Sequence, residues 1–231
     1  NIFKKIYLLS EYMKIYFYQK KMKHADGVFA ITKNDQKYFQ KYSKSYYIKA
    51  FHSNSHVTSK KGKGNFALYH GNLSIAENEN AAIFLIRKIF AKKKYKLIIA
   101  GNNPKLRLKK EISKYKNIKL IQDPKKQELS SIIRNAHINL LKTNQNTGIK
   151  LKLIESLYKG RFCIGNNKML LDTELEKYCF SANSIKEWIN KIEKLKNQVF
   201  DEEKTIERKK IEKIFNNNKE AEKIKNIIYN H

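Results

Sequence analysis

Phe66-Ala67-Leu68-Tyr69-His70-Gly71-Asn72, a helical stretch over 77–90, and then Lys96-Leu97-Ile98-Ile99-Ala100-Gly101-Asn102-Asn103 set out one plan. A short β-prone run ends in a turn of Gly and Asn, and a helix returns the chain to the next run. Within 77–90, Ala81, Phe84, Leu85, Lys88 and Ile89 fall at helical spacing, so an apolar stripe faces one way. Runs that are apolar throughout, rather than alternating, suit strands buried on both faces inside a parallel sheet. The plan repeats downstream. Strands are expected at 66–69, 96–100, 118–122, 138–141, 162–164 and 179–180, with amphipathic helices at 127–135 and 149–159. Ser184 and Glu187 have capping-box spacing and open a helix to about residue 198. Helices over 202–215 and 218–229 close the chain. The expected class is α/β, a Rossmann-like parallel sheet flanked by helices.

Upstream the pattern changes. An aromatic, Lys-rich helix is expected over 2–23, a strand over 28–31, a helix opened by Thr32 and Asp35, and a second short run at 46–48. That is too little for a domain of its own. The polar, Gly- and Ser-containing stretch 52–65 suits an interdomain connection. The expected organisation is a partial N-terminal piece with its connection at 1–58, the α/β domain at 59–200, and C-terminal helices at 201–231.

The 231 residues allow one large α/β domain and a smaller piece. No apolar run approaches the roughly 20 residues of a membrane span, and no leader-like segment is evident, so a soluble domain is expected. Cys163 and Cys179 have no metal-type or C-x-x-C spacing and suit buried free thiols in a reducing cytoplasm. Lys and Arg number 49 against 21 Asp and Glu, a formal charge of +28 that favours phosphate in nucleic acid, anionic lipid or nucleotide. Charge alone does not choose among these, and an AT-rich genome writes the same Lys, Asn, Ile and Tyr excess onto tolerant surfaces.

In an open parallel sheet, ligands bind beyond the carboxyl ends of the strands, near the reversal of strand order. The segments expected there are His70-Gly71-Asn72, Gly101-Asn102-Asn103, Asp123-Pro124, the run from Lys142 to Gly148, and Gly165-Asn166-Asn167. Gly and Asn are common in any turn. Their recurrence at one edge also suits a phosphorylated, hydroxyl-rich ligand. The sharpest constellation is Thr147-Gly148-Ile149-Lys150-Leu151-Lys152-Leu153-Ile154-Glu155. A helix opening at Gly148 aligns Gly148, Lys152 and Glu155 on one face and Leu151, Ile154 and Tyr158 on another. Free backbone N–H groups and a lysine one turn in suit a diphosphate, and Glu155 suits a ribose diol. An ordinary surface helix with a Lys–Glu pair is the plain alternative.

These segments resemble a known family. Leu68-Tyr69-His70-Gly71-Asn72-Leu73 with Glu79-Asn80-Ala81-Ala82, Leu97-Ile98-Ile99-Ala100-Gly101, and Gly148 through Arg161 look like the donor-domain motifs of retaining GT-B glycosyltransferases, the group 1, family 4-like enzymes. Ala25-Asp26-Gly27-Val28-Phe29-Ala30-Ile31-Thr32 is similar to the strand that ends that family's acceptor domain. The resemblance implies a GT-B donor domain with an acceptor-domain remnant, and transfer of a sugar from a nucleoside-diphosphate carrier to a glycan, lipid-linked or polysaccharide acceptor. It further implies the nucleobase against Gln122 and Asp123, the ribose on Glu155, and the diphosphate on Gly148 and Lys152, flanked by Thr147 and Ile149. Lys152 and Glu155 would be the catalytic pair. His70, Gly71, Asn72 and Gly101 would complete the donor site. No cofactor or metal is expected beyond the donor itself, since no Asp-x-Asp occurs. The chain departs from its relatives in carrying Thr147 where many have an acidic residue, and Asn72 and Glu77-Asn78 where many have Arg and Lys.

Rival readings are weaker. A dinucleotide-dependent oxidoreductase needs further glycines soon after Gly71, and none arrives. A nucleic-acid module would gather its basic residues on one face, whereas Lys is spread through every helix, so no specific nucleic acid is expected. The 2–23 helix, with Ile2, Phe3, Ile6, Leu9, Met13, Tyr16 and Phe17 among lysines, suits acceptor-domain packing or a peripheral contact at the inner face of a membrane.

Overall fold

The computed structural model of the chain describes residues 2–145 and 150–229. The described residues fall into two compact bodies. One comprises 2–51 with 217–229, and the other 52–145 with 150–216.

The smaller body holds α1 (Ile2–Lys20), β1 (Val28–Ala30), α2 (Lys33–Phe39) and β2 (Ser45–Tyr47), with the last helix of the chain, Asn217–Tyr229. β1 and β2 pair in parallel, Phe29 opposite Tyr46. Thr32 caps α2 by accepting from the Asp35 N–H at 3.0 Å, as its position before the apolar run suggests. The Glu220 carboxylate accepts from the Lys49 N–H at 2.9 Å. The apolar side chains of α1, Phe3 and Leu9 among them, are exposed. No described helix is long and apolar enough to cross a membrane.

The larger body is built on six parallel strands: β3 (Phe66–His70), β4 (Lys96–Gly101), β5 (Ile118–Gln122), β6 (Ile138–Leu141), β7 (Phe162–Gly165) and β8 (Phe180–Ser181). Their order is β5-β4-β3-β6-β7-β8. The chain therefore builds outward from β3 through β4 and β5, then returns to lay β6 on the other side of β3. That reversal between β3 and β6 is the switch point where such sheets open a crevice. All six runs read as strands in the sequence are strands here. Each is displaced by a residue at most.

Alternate residues of β3 feed opposite layers. Ala67 and Tyr69 join the main core with Leu97, Ile99, Leu140, Phe162 and Trp188, whereas Leu68 packs with Ala100, Ile133 and Ala136. Trp188, at helical spacing from Ile192 and Leu195 on the helix Ile185–Leu195, is buried with them in this core. In chain order the helices of this body are α3 (Ala76–Phe84), α4 (Leu106–Ile112), α5 (Lys126–Asn135), α6 (Leu151–Lys159), α7 (Asn167–Leu170), α8 (Ile185–Leu195), α9 (Glu202–Lys209) and α10 (Ile211–Ile214); the terminal helix is α11. The Ser184–Glu187 capping box forms as expected.

Several helices differ from their expected extents: α1 ends at Lys20 rather than 23 and α8 at Leu195 rather than near 198. The stretch 77–90 is α-helical to Phe84 and then π-helical over Leu85–Phe90, and the wider turn lets Leu85, Ile86, Ile89 and Phe90 all bury. The stretch 202–215 divides at Lys210. α6 begins at Leu151, because Lys150 has the non-helical dihedrals of a cap, φ −99° and ψ 71°; Ile149 lies outside the described residues. Two buried arginines brace helix ends that would otherwise leave carbonyls unpaired. Arg161 donates to the carbonyls of Arg134, Asn135 and Ala136 behind α5. Arg208 donates to Leu157, Gly160 and Arg161 behind α6.

Candidate functional site

The switch point brings two loops together, the one leaving β3 (71–75) and the one leaving β6 (from Lys142). α6 supplies the wall between them. His70, the last residue of β3, is buried and its Nε2 shares a 3.1 Å hydrogen bond with Ser156 Oγ on α6. Burial drives the imidazole pKa down to about 4; nearby Glu155 opposes this, and Lys152 and Lys159 add to it. The ring is therefore neutral at physiological pH.

Lys152 projects from the first turn of α6. Its Nζ donates to Asn78 Oδ1 at 3.2 Å and lies 5.3 Å from the centre of the Tyr69 ring. Burial lowers its pKa to about 8, with Glu77 resisting and Lys150 assisting. Lys142 is lowered by burial and by Lys168, and packs its ammonium over Phe84 at 4.8 Å. Lys168 donates to the Asn144 carbonyl at 3.2 Å. A group of cations so placed favours an anionic ligand. Glu155, one turn beyond Lys152, accepts from Lys159 Nζ at 2.7 Å, and Lys159 also donates to Ser130 Oγ at 2.8 Å.

Glycine and asparagine set the floor. A Cβ on Gly101 would stand 1.8 Å from the Gly71 carbonyl oxygen, so only glycine permits this approach of the β3 and β4 ends. Asn72 Oδ1 accepts from the Ser74 N–H (3.1 Å) and hydroxyl (2.8 Å), shaping the turn. Asp123, at φ 48°, accepts from the Asn103 N–H at 2.7 Å and ties the β5 loop to the β4 loop beside the exposed Gln122. The Asn103 bond, with help from Gln122, holds the Asp123 carboxyl below its ordinary pKa.

The structure thus groups His70, Gly71, Asn72, Lys152 and Glu155 around the switch point and sets Gly101 and Gln122 at the ends of β4 and β5, with Asp123 on the loop that follows β5. Thr147, Gly148 and Ile149 lie outside the described residues. Glu77 and Ser156 join the site without a signal of their own in the sequence, whereas Thr143 and Asn144 belong to the Lys142–Gly148 run expected at this edge. Glu77 and Asn78 drew attention only as departures from the family pattern, although a carboxylate in the first turn of α3 faces the very loop that the strand order brings opposite it. Among the described residues no group of three His, Cys, Asp or Glu side chains could hold a metal ion.

No protein-family model and no curated protein matches this sequence. Likeness emerges in three dimensions. TarM superposes with a TM-score of 0.70 at 15% identity, over 91% of this chain and 45% of TarM. The GtfA/B complex gives 0.62 at 17% identity, over 86% of this chain and 44% of that one. Anabaena Alr3699/HepE, solved with UDP and glucose, gives 0.65 at 11% identity, over 89% of this chain and 63% of HepE. These neighbours are GT-B glycosyltransferases. Over the part it spans, this chain has their fold. It covers less than half the length of TarM and of the GtfA/B chain.

Proposed function

We propose that the larger body is the donor-binding half of a glycosyltransferase that takes a nucleoside-diphosphate sugar and transfers its sugar to a glycan, lipid-linked or polysaccharide acceptor. The observation that carries this is the convergence, at the β3/β6 switch point, of the neutral, buried His70 at the end of β3 with the half-buried Lys152 and the Glu155 carboxylate on α6. Each group suits one part of such a donor. Lys152, with Lys142 and Lys150 near it, offers charge to the diphosphate both at rest and as it leaves. Stabilising a leaving diphosphate in a desolvated site is an electrostatic task that fixed cations perform without a metal. Glu155 suits the ribose hydroxyls as a two-oxygen acceptor, exchanging its contact with Lys159 for the diol. Neutral His70 can hydrogen-bond the sugar without adding charge, and the Gln122–Asp123 turn suits the edge of a base. In the retaining course the resemblance implies, the bond from anomeric carbon to diphosphate oxygen breaks, a bond to the acceptor oxygen forms, and the acceptor hydroxyl's proton leaves with the departing diphosphate. Groups that handle the acceptor are expected from a further domain, as in a two-domain GT-B enzyme. UDP in the HepE complex motivates the first ligand to try.

Calorimetric titration of the purified chain with UDP, GDP and their sugar conjugates tests this proposal beside Glu155→Ala. One nucleoside diphosphate should bind, and the substitution should weaken it about tenfold, the loss of one or two charge-assisted hydrogen bonds. Binding that ignores Glu155→Ala, or no nucleotide binding at all, sinks the assignment.

A further inference from the structure

The Glu77 carboxylate already occupies a cradle suited to a phosphate. One of its oxygens, Oε1, accepts from the Thr143 hydroxyl, from the Asn144 N–H at 2.7 Å and from the Gln145 N–H at 3.3 Å. Two successive backbone N–H groups and a hydroxyl converging on one anionic oxygen form the concave donor set that binds phosphoryl oxygens. Lys152 and Lys150 both feel the Glu77 charge. Burial acts to raise the carboxyl's pKa, but the bonds from Thr143, Asn144 and Gln145 and the Lys152 charge outweigh it. All these groups meet at the switch point: Glu77 in the first turn of α3, Thr143, Asn144 and Gln145 on the loop that follows β6, and Lys150 and Lys152 at the start of α6.

We propose that Glu77 is a built-in counter-anion, filling the phosphate position of the β3/β6 crevice until a ligand's phosphate displaces it. This rests on the proposed donor site and adds its control. The carboxylate neutralises the cations and keeps the Asn144 amide paired, while the Gln145 N–H is shared between Glu77 and Thr143 Oγ1, the latter at 3.1 Å. An incoming phosphate inherits those donors and pays for moving the carboxylate aside. Glu77 thereby sets a threshold, lowering affinity in proportion to charge: a diphosphate feels it, a neutral nucleoside does not. The rival role is a staple, in which the carboxylate merely fixes the β6 loop in its binding shape.

The test is titration of the chain with inorganic pyrophosphate, a probe free of base and sugar, comparing wild type, Glu77→Gln and Glu77→Ala, with uridine as the neutral control. Glu77→Gln removes the charge and keeps an acceptor oxygen for the loop; Glu77→Ala removes both. Displacement predicts that pyrophosphate binds on the order of tenfold tighter to Glu77→Gln than to wild type, the effect of removing one like charge from a partly buried site. The Ala variant should also bind more tightly, and uridine should be indifferent to both changes. Pyrophosphate binding that is unchanged in Glu77→Gln, weaker in either variant, or absent from all three proteins overturns the proposal. Tighter pyrophosphate binding by Glu77→Gln with no nucleotide response to Glu155→Ala would leave the counter-anion standing and remove the nucleotide-sugar assignment.

Discussion

Both edges of the six-stranded sheet carry lysine, yet the two kinds of lysine differ in physical character. At the carboxyl edge Lys152 is largely withdrawn from water, bonded to Asn78, set over Tyr69 and shifted to a pKa of about 8. At the amino edge a groove of about 720 Å³ is lined by Lys93, Lys94, Lys96, Lys116 and Lys119. Lys93 pairs with Glu193 at 2.5 Å, and the other four are exposed to solvent. A net charge of +28 counts all of these alike. Desolvation and a fixed partner separate them, because a cation held out of water gains most from an arriving anion, whereas one bathed in salt is already screened.

The comparison is broken most forcefully at the backbone. If the carboxyl edge is built on the close approach of the β3 and β4 ends, Gly101→Ala forces a Cβ against the Gly71 carbonyl, 1.8 Å away, and the loops must part. The expected cost is about 3 kcal/mol or more, read as a lower denaturation midpoint. Gly62, ahead of β3, has φ +85° with open space around its Cβ position, so Gly62→Ala should cost only about 1 kcal/mol. Equal losses from the two substitutions would deny that the carboxyl edge is specially packed.

Acid sharpens the comparison next. The folded-state pKa of His70, about 4, lies below the ordinary 6.5. Its contribution to stability is therefore complete above 6.5 and drains away as pH falls toward 4, since the unfolded chain takes a proton that the folded site refuses. The drop from 6.5 to about 4 is worth about 3 kcal/mol. His137, just ahead of β6 at the amino side, is also lowered by burial, its Nε2 meeting the Leu195 carbonyl at 2.8 Å. Acid denaturation curves of wild type and His70→Gln should converge near pH 4 and separate toward neutrality. A constant offset across that range would mean that His70 is protonated as easily when folded as when unfolded.

How much of this was legible in the sequence differs between the same regions. The strands were, because buried parallel strands are near-continuous apolar runs and most end in a Gly or Asn turn; Leu97-Ile98-Ile99-Ala100-Gly101 needs no partner to be recognised. Lys152 and Glu155 were flagged because their spacing on a helix is itself the signal. Glu77 was not. Its meaning lies in Thr143, Asn144 and Gln145, far along the chain and brought opposite only by the return of β6 to the side of β3. Helix spacing carries no trace of such a contact. The packing role of Gly101 was equally hidden, since a glycine in a turn reads the same whether it serves the turn, a ligand or a neighbouring carbonyl.

The smallest effect bears most directly on the two lysine populations. Lys152→Met should weaken UDP binding about tenfold at pH 7 and physiological salt, the value of one charge-assisted contact. Replacing Lys94, Lys96, Lys116 and Lys119 together by Gln removes four charges yet should change the affinity less than about twofold. A five-residue strand is roughly 16 Å long, about two screening lengths at that salt. Titration then supplies an internal check. Because the Lys152 pKa is about 8, and only the charged form attracts the diphosphate, wild-type affinity should fall severalfold as pH rises from 7 to 9. The Lys152→Met chain should show little of that slope, whereas the fourfold Gln variant should retain it in full. If the Gln variant loses the slope or most of the affinity, the phosphate is held by diffuse surface charge, and the distinction between the two edges fails.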